Sequence, residues 1–196
     1  MSAQLQGYPC MTVEEFHVFV DAHPEGKFEY IDGHLRDLGA LLMAGGTKNH
    51  SVIAGNIITA LNNALRAKGR HCNVCTGDAY FKVNENIRYL PDVTVTCDEG
   101  DLNRNAAVES PSLVVEVLST STMLFDHTEK LRAYSSCPSI QEYLLVDSTE
   151  KFVEVFHRLP DGSMAYRSYK DGDTIVLSGL GFNLTIADIY YGLSLN

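Results

Sequence analysis

The chain has 196 residues, 45% of them hydrophobic, with 25 Asp and Glu against 15 Lys and Arg for a net charge of −10. That length and apolar content fit one domain with a real core, and no stretch approaches the roughly 18 consecutive apolar residues of a membrane span. The acidic balance disfavours strong non-specific attraction to nucleic acid, which depends on Lys and Arg neutralising phosphates. The start, Met1-Ser2-Ala3-Gln4, lacks the basic and apolar regions of a secretory signal, so the expected location is the cytoplasm.

Thr12-Val13-Glu14-Glu15 is a capping box that opens a short helix to about residue 22. Asp32-Gly33 then signals a hairpin turn between strands at 27–31 and 34–42. Ile53, Ile57, Leu61 and Leu65, widened by Ala54 and Ile58, predict the longest helix over 48–68, and Gly69 stops it. Strands are expected at 74–83 and 88–97, joined around Asn84-Glu85-Asn86. The run Leu113-Val114-Val115-Glu116-Val117-Leu118 reads as a strand buried on both faces. A helix over 126–136 has Asp126 and Glu129 in its first turn and Lys130 and Arg132 later, matching the macrodipole, before Pro138 ends it. Strands at 142–146 and 152–157, a hairpin around Asp161-Gly162, a strand near 174–177 and a helical turn at 186–190 complete the chain. Helices interleaved with strands around a mixed sheet make a layered α/β or α+β fold, and no repeat or linker divides residues 1–196.

Five cysteines, an odd number in a chain expected to be cytosolic, argue against a disulfide framework. Cys72-Asn73-Val74-Cys75, with His71 beside it, has the spacing of half a zinc site. Strand residues three apart point to opposite faces, however, and no second CxxC exists. Cys72 and Cys75 are therefore expected to be reduced and metal-free.

Glu116 is the residue that most needs explaining. An ionised carboxylate in an apolar strand is costly to desolvate unless a cation accompanies it. Pro91-Asp92-Val93-Thr94-Val95 supplies a second acid at the start of a second strand, and two acids on neighbouring strands can hold a hard ion such as Mg²⁺. Glu29, in Phe28-Glu29-Tyr30, reads on its own as a strand residue on the solvated face. Lys130, four residues after Asp126, reads either as half of an exposed helix pair or as a lysine that stabilises phosphate charge. His50, at the start of the long helix, is better read as a capping or core histidine than as a ligand.

The order Glu29…His50…Pro91-Asp92…Glu116-Val117-Leu118-Ser119…Lys130-Leu131-Arg132-Ala133-Tyr134…Gln141-Glu142-Tyr143-Leu144-Leu145-Val146-Asp147 resembles the Uma-type restriction endonucleases. These are bacterial proteins of the restriction-endonuclease-like, PD-(D/E)xK superfamily. The resemblance runs from about residue 12 to 190. It implies a central mixed sheet flanked by helices, with extra N- and C-terminal hairpins, and a divalent-metal site. Asp92 matches the Asp of Pro-Asp, Glu116 the acid of the following strand, Glu29 the N-terminal acid and Lys130 a helical lysine. The wider superfamily carries its lysine two residues after the second acid, where this chain has Leu118, so the resemblance implies a lysine moved to the helix.

The resemblance makes the expected activity metal-dependent hydrolysis of phosphodiesters in nucleic acid, with DNA foremost. Asp92 and Glu116 would hold Mg²⁺ or Mn²⁺, and Lys130 and Glu29 would assist. The alternative is an inactive nuclease-fold module that binds nucleic acid or a protein partner. Fold analogy adds a homodimer. Lys130 is expected within roughly 8 Å of the Glu116 carboxylate, close enough to share one phosphate or water layer.

Overall fold

The structure is a computed structural model that describes residues 8–39 and 47–195. Helix α1 (Val13–Ala22) opens with the expected capping box, in which the Thr12 hydroxyl accepts from the Glu15 N–H and the Glu15 carboxylate accepts from the Thr12 N–H. Strands β1 (Phe28–Ile31) and β2 (His34–Asp37) meet at Asp32 and Gly33, whose positive φ values of 47° and 86° suit the expected turn. The end of the strand expected over 34–42 falls partly outside the described residues. Helix α2 (Lys48–Ala67) is capped by Thr47 and buries Ile53, Ile57, Leu61 and Leu65.

The two strands expected at 74–83 and 88–97 are each split. Asn73–Thr76 (β3) and Phe81–Asn84 (β4) belong to different sheets, as do Ile87–Tyr89 (β5) and Val93–Thr96 (β6). The break falls at Pro91, which has no N–H to give to a ladder, and at the turn around Gly77 facing it. One bent ribbon therefore feeds two sheets. Its far half, β4 and β5, joins β1 and β2 in the order β2-β1-β5-β4.

The near half enters a larger mixed sheet. After the short α3 (Glu99–Leu102) comes β7 (Leu113–Leu118), buried along its whole length as expected. α4 (Met123–Phe125), a π-helical turn (Asp126–Lys130) and α5 (Leu131–Ser135) then run on as one helical segment. Strands β8 (Glu142–Asp147), β9 (Phe152–Arg158) and β10 (Met164–Lys170) complete the order β10-β9-β8-β7-β6-β3, in which only β7 and β8 are parallel. A parallel pair cannot be closed by a tight turn, so the α4–α5 segment serves as its crossover. A hairpin, β11 (Thr174–Leu177) with β12 (Phe182–Thr185), and α6 (Ile186–Ile189) follow.

Alternation along β7 assigns its two faces. Leu113, Val115 and Val117 pack on the α2 stripe, each fully buried aliphatic side chain contributing about 1.5–3 kcal/mol. Val114 and Leu118 face the opposite way, into Phe81, Tyr89, Tyr134 and Tyr143, under the crossover segment. Glu116 shares that second face.

The cysteine expectation is corrected at one position. Cys72 and Cys97 form a disulfide, because they continue the β3–β6 register one pair beyond Asn73 and Thr96 and so stand directly opposite. Cys75 is a free thiol, as expected.

Candidate active site

The register of β6 on β7 pairs Val93 with Val115, and one further step sets Asp92 opposite Glu116. Both acids line a cavity of ≈ 290 Å³, together with His50, Ser119, Asp126 and Lys130. Asp92 Oδ2 accepts from the Val117 N–H at 2.7 Å and lies 3.2 Å from His50 Nε2. His50 therefore reaches the acid, where the sequence favoured a capping or core histidine, and the cap of α2 is Thr47. The hydrogen bond to Asp92 is the main cause that raises the His50 pKa, against its partial burial.

Lys130 is buried, so the exposed helix pair is corrected. Its Nζ is 2.8 Å from Glu116 Oε1, well inside the expected 8 Å, 3.3 Å from Glu29 Oε1 and 3.5 Å from Asp126 Oδ1. The crossover segment carries this side chain over the face of β7 that bears Glu116. Leu118, two residues along, points into the aromatic cluster instead.

Glu29 is fully buried, and its reading as a solvated strand residue is corrected. β1 is an interior strand of its sheet, between β2 and β5. The carboxylate has two donors, Arg36 Nη1 at 2.6 Å and the Leu90 N–H at 3.1 Å, and an ion pair with Lys130. Arg36 is the cross-strand partner of Glu29 and lies over the Phe125 ring, 3.9 Å from its centroid.

Burial is the largest influence on Glu116 and pushes its pKa well up, with Asp126 and Asp92 adding to the rise and Lys130 opposing it. Burial alone would lower the Lys130 ammonium, but Glu116, Glu29 and Asp126 together raise it. Tyr134 Oη donates to Glu116 Oε1 at 2.9 Å, the oxygen that also takes Lys130. Among the described residues nothing donates to Glu116 Oε2.

Glu29, Glu116 and Asp126 thus surround Lys130, with Arg36 against Glu29 and His50 against the fourth carboxylate, Asp92. With all four ionised, Arg36 and Lys130 leave two negative charges, of which a protonated His50 beside Asp92 would offset one, so the cluster favours a further cation. Among the described residues no three His, Cys, Asp or Glu side chains converge as a ready metal cage. Mg²⁺ needs only one or two protein carboxylates and completes its shell with water and substrate oxygens. The donor set therefore fits a hard divalent ion at Asp92 and Glu116.

Asp126, Arg36 and Tyr134 escaped the sequence reading. The turn at Asp32-Gly33 already implied a register in which Glu29 faces Arg36. Asp126 had only its four-residue spacing to Lys130, which the macrodipole explained equally well.

The mixed six-stranded sheet with its helical crossover and the acid–lysine cluster beside it define a restriction-endonuclease-like α/β protein. Residues 13–187 match the Uma2 family, described as "Putative restriction endonuclease", and the chain belongs to that family. The uncharacterized protein slr1290 of Synechocystis sp. is 35% identical over 188 residues, covering 95% of each chain. A second uncharacterized Synechocystis sp. protein, sll1609, is 33% identical over 138 residues, or 69% of this chain and 74% of that one. Among solved structures, a crystal structure titled as a putative nuclease belonging to DUF820 from Anabaena variabilis superposes with a TM-score of 0.63. At 17% identity, covering 83% of this chain and 89% of that one, it shows a shared fold.

Proposed function

We propose that the chain is a divalent-metal-dependent nuclease that hydrolyses phosphodiester bonds of nucleic acid, with DNA the expected substrate. The observation that carries this reading is the 2.8 Å contact between Lys130 Nζ and Glu116 Oε1, beside the acid opposite it, Asp92. An acid pair with a lysine at hand is what the chemistry requires, and Lys130 supplies the ammonium missing at Leu118.

Asp92 and Glu116 would hold Mg²⁺ or Mn²⁺, which when bound polarises the scissile phosphate and lowers the pKa of an attacking water. The Val117 N–H and His50 fix the rotamer of Asp92, and Tyr134 with Lys130 fixes that of Glu116. Lys130 brings positive charge to the cavity wall, where it offsets charge that develops on the phosphate. Glu29, clamped by Arg36 and the Leu90 N–H, holds that ammonium in place. A homodimer that presents two such sites to two strands belongs to the same reading.

The test is a Mg²⁺ and Mn²⁺ titration followed by thermal melts and calorimetry, with plasmid and single-stranded oligonucleotide cleavage in parallel. Saturable metal binding with cleavage that EDTA stops is expected, together with a dimer in light scattering. Metal binding without cleavage of either substrate would instead mark a non-catalytic module. No metal binding at all would overturn the reading.

A further inference from the structure

Asp126 is 2% exposed and lines the cavity, and although Thr122 hydrogen-bonds to the carboxylate, its Oδ1 has no hydrogen-bond partner among the described residues. Lys130 Nζ is the nearest cation, at 3.5 Å, within ion-pair range but too far for a hydrogen bond of normal strength. Buried acceptors are nearly always satisfied, so an unsatisfied oxygen on a carboxylate that lines a cavity points to a donor that arrives with a ligand. The Asp126 backbone is set by a π turn, a rare geometry that recurs at functional sites. Both ends of that turn, Asp126 and Lys130, reach the same cavity.

The donor can be narrowed by chemistry. Asp92 and Glu116 together provide two protein carboxylates, and Mg²⁺ so held keeps several of its waters. Each retained water carries polarised O–H groups, and acidic residues one layer out from an ion commonly accept from them. We propose that Asp126 is a third acidic member of the metal site, acting without touching the ion: its Oδ1 accepts from water that the divalent cation retains. This rests on the metal-dependent reading above. It assigns Asp126 a positioning role that orients the hydrated ion and sets its affinity. The macrodipole, which also accounts for an acid near a helix start, does not require a buried side chain with an empty acceptor.

The test reads Mn²⁺ affinity by calorimetry on the full chain, apart from any cleavage assay, for the unaltered protein, Asp126→Asn and Asp126→Glu. Asn preserves shape and size but replaces one acceptor oxygen with a donor and removes the charge. Asp126→Asn is expected to melt normally in EDTA and to bind Mn²⁺ roughly 10–100-fold more weakly, with Asp126→Glu recovering part of the loss. Mn²⁺ binding by Asp126→Asn within twofold of the unaltered chain overturns the proposal and leaves the nuclease reading standing. An Asp126→Asn protein that fails to fold makes Asp126 a structural partner of Lys130 and also overturns it. If the unaltered chain takes up no Mn²⁺, the metal reading and this proposal fall together.

Discussion

Lys130 is surrounded by Glu116, Glu29 and Asp126, and a buried ion cluster of this kind is judged by what happens when one member is removed. Taking away the ammonium leaves three carboxylates facing one another, with Arg36 beside Glu29 the remaining cation paired to them among the described residues. Breaking a buried pair from one side costs about 3–5 kcal/mol. Lys130→Met is therefore expected to lower the melting point in EDTA by roughly 6–20 °C. Glu116→Gln acts in the opposite direction on charge, since it keeps an amide oxygen for Lys130 and Tyr134 while removing a like charge next to Asp92 and Asp126. Its melting point in EDTA should stay within roughly 4 °C of the unaltered chain, a change of about 1 kcal/mol, while the stabilisation by Mg²⁺ disappears. If Glu116→Gln melts as low as Lys130→Met and Mg²⁺ never moves the unaltered midpoint, the acids are scaffold and no metal site exists.

Side chains tie the crossover segment to β7, β8 and β9 of the sheet beneath it. Lys130 ties it to β7, and His127 ties it to β9 through Glu154, with His127 Nε2 2.6 Å from Glu154 Oε2 and Nδ1 2.8 Å from the Met123 carbonyl. Partial burial works against the charged imidazole, but the hydrogen bonds to Glu154 and the Met123 carbonyl outweigh it and raise the His127 pKa. A histidine whose pKa is raised by folding adds stability that is fully present below its unfolded value of about 6.5 and is lost as pH rises through the folded value. The stability difference between the unaltered chain and His127→Gln should thus be greatest near pH 5.5–6, about 1 kcal/mol for so partly exposed a pair. It should shrink as pH increases through the folded pKa. Urea melts across that range check this, and a difference that grows with pH would mean that His127 is neutral in the folded chain.

On the scale of the whole molecule, the net charge of −10 sets the terms of any encounter with nucleic acid. Each phosphate neutralised by Lys or Arg adds about 0.9 to the slope of affinity against salt, and proteins that rely on this bind non-specifically at about 10⁻⁴–10⁻⁶ M. Lys27, at the cavity mouth, is already paired with Asp78 at 2.8 Å. Binding of a duplex oligonucleotide in EDTA is therefore expected to be weaker than about 10⁻⁴ M at physiological salt, and to strengthen with Mg²⁺. Fluorescence anisotropy measures both. Tight, steeply salt-dependent binding without metal would point to a nucleic-acid-binding module instead of a metal-assisted enzyme. Among the described residues no helix is long and apolar enough to cross a membrane.

Features carried by local periodicity were legible in the residues alone. The α2 stripe, the capping box at Thr12, the turn at Asp32-Gly33 and the doubly buried β7 each declare themselves within a few positions, because helices and strands repeat at 3.6 and 2 residues. Glu116 stood out for the same reason, as a charge that breaks an apolar run. Pairing between distant segments left no such mark. Nothing near Glu29 revealed that β1 would lie inside a sheet, nothing near Asp126 that its turn would open onto the cavity, and nothing near Cys72 that Cys97 would stand opposite. Pro91 was visible, but its effect, one ribbon divided between two sheets, depends on neighbours far along the chain. Burial and charge compensation arise from the sum of all surfaces brought together in three dimensions. For that reason Asp92, Glu116 and, through the family resemblance, Glu29 and Lys130 could be picked out in the sequence, while the place of Asp126 and Tyr134 and the burial of the whole cluster were decided only by the tertiary fold.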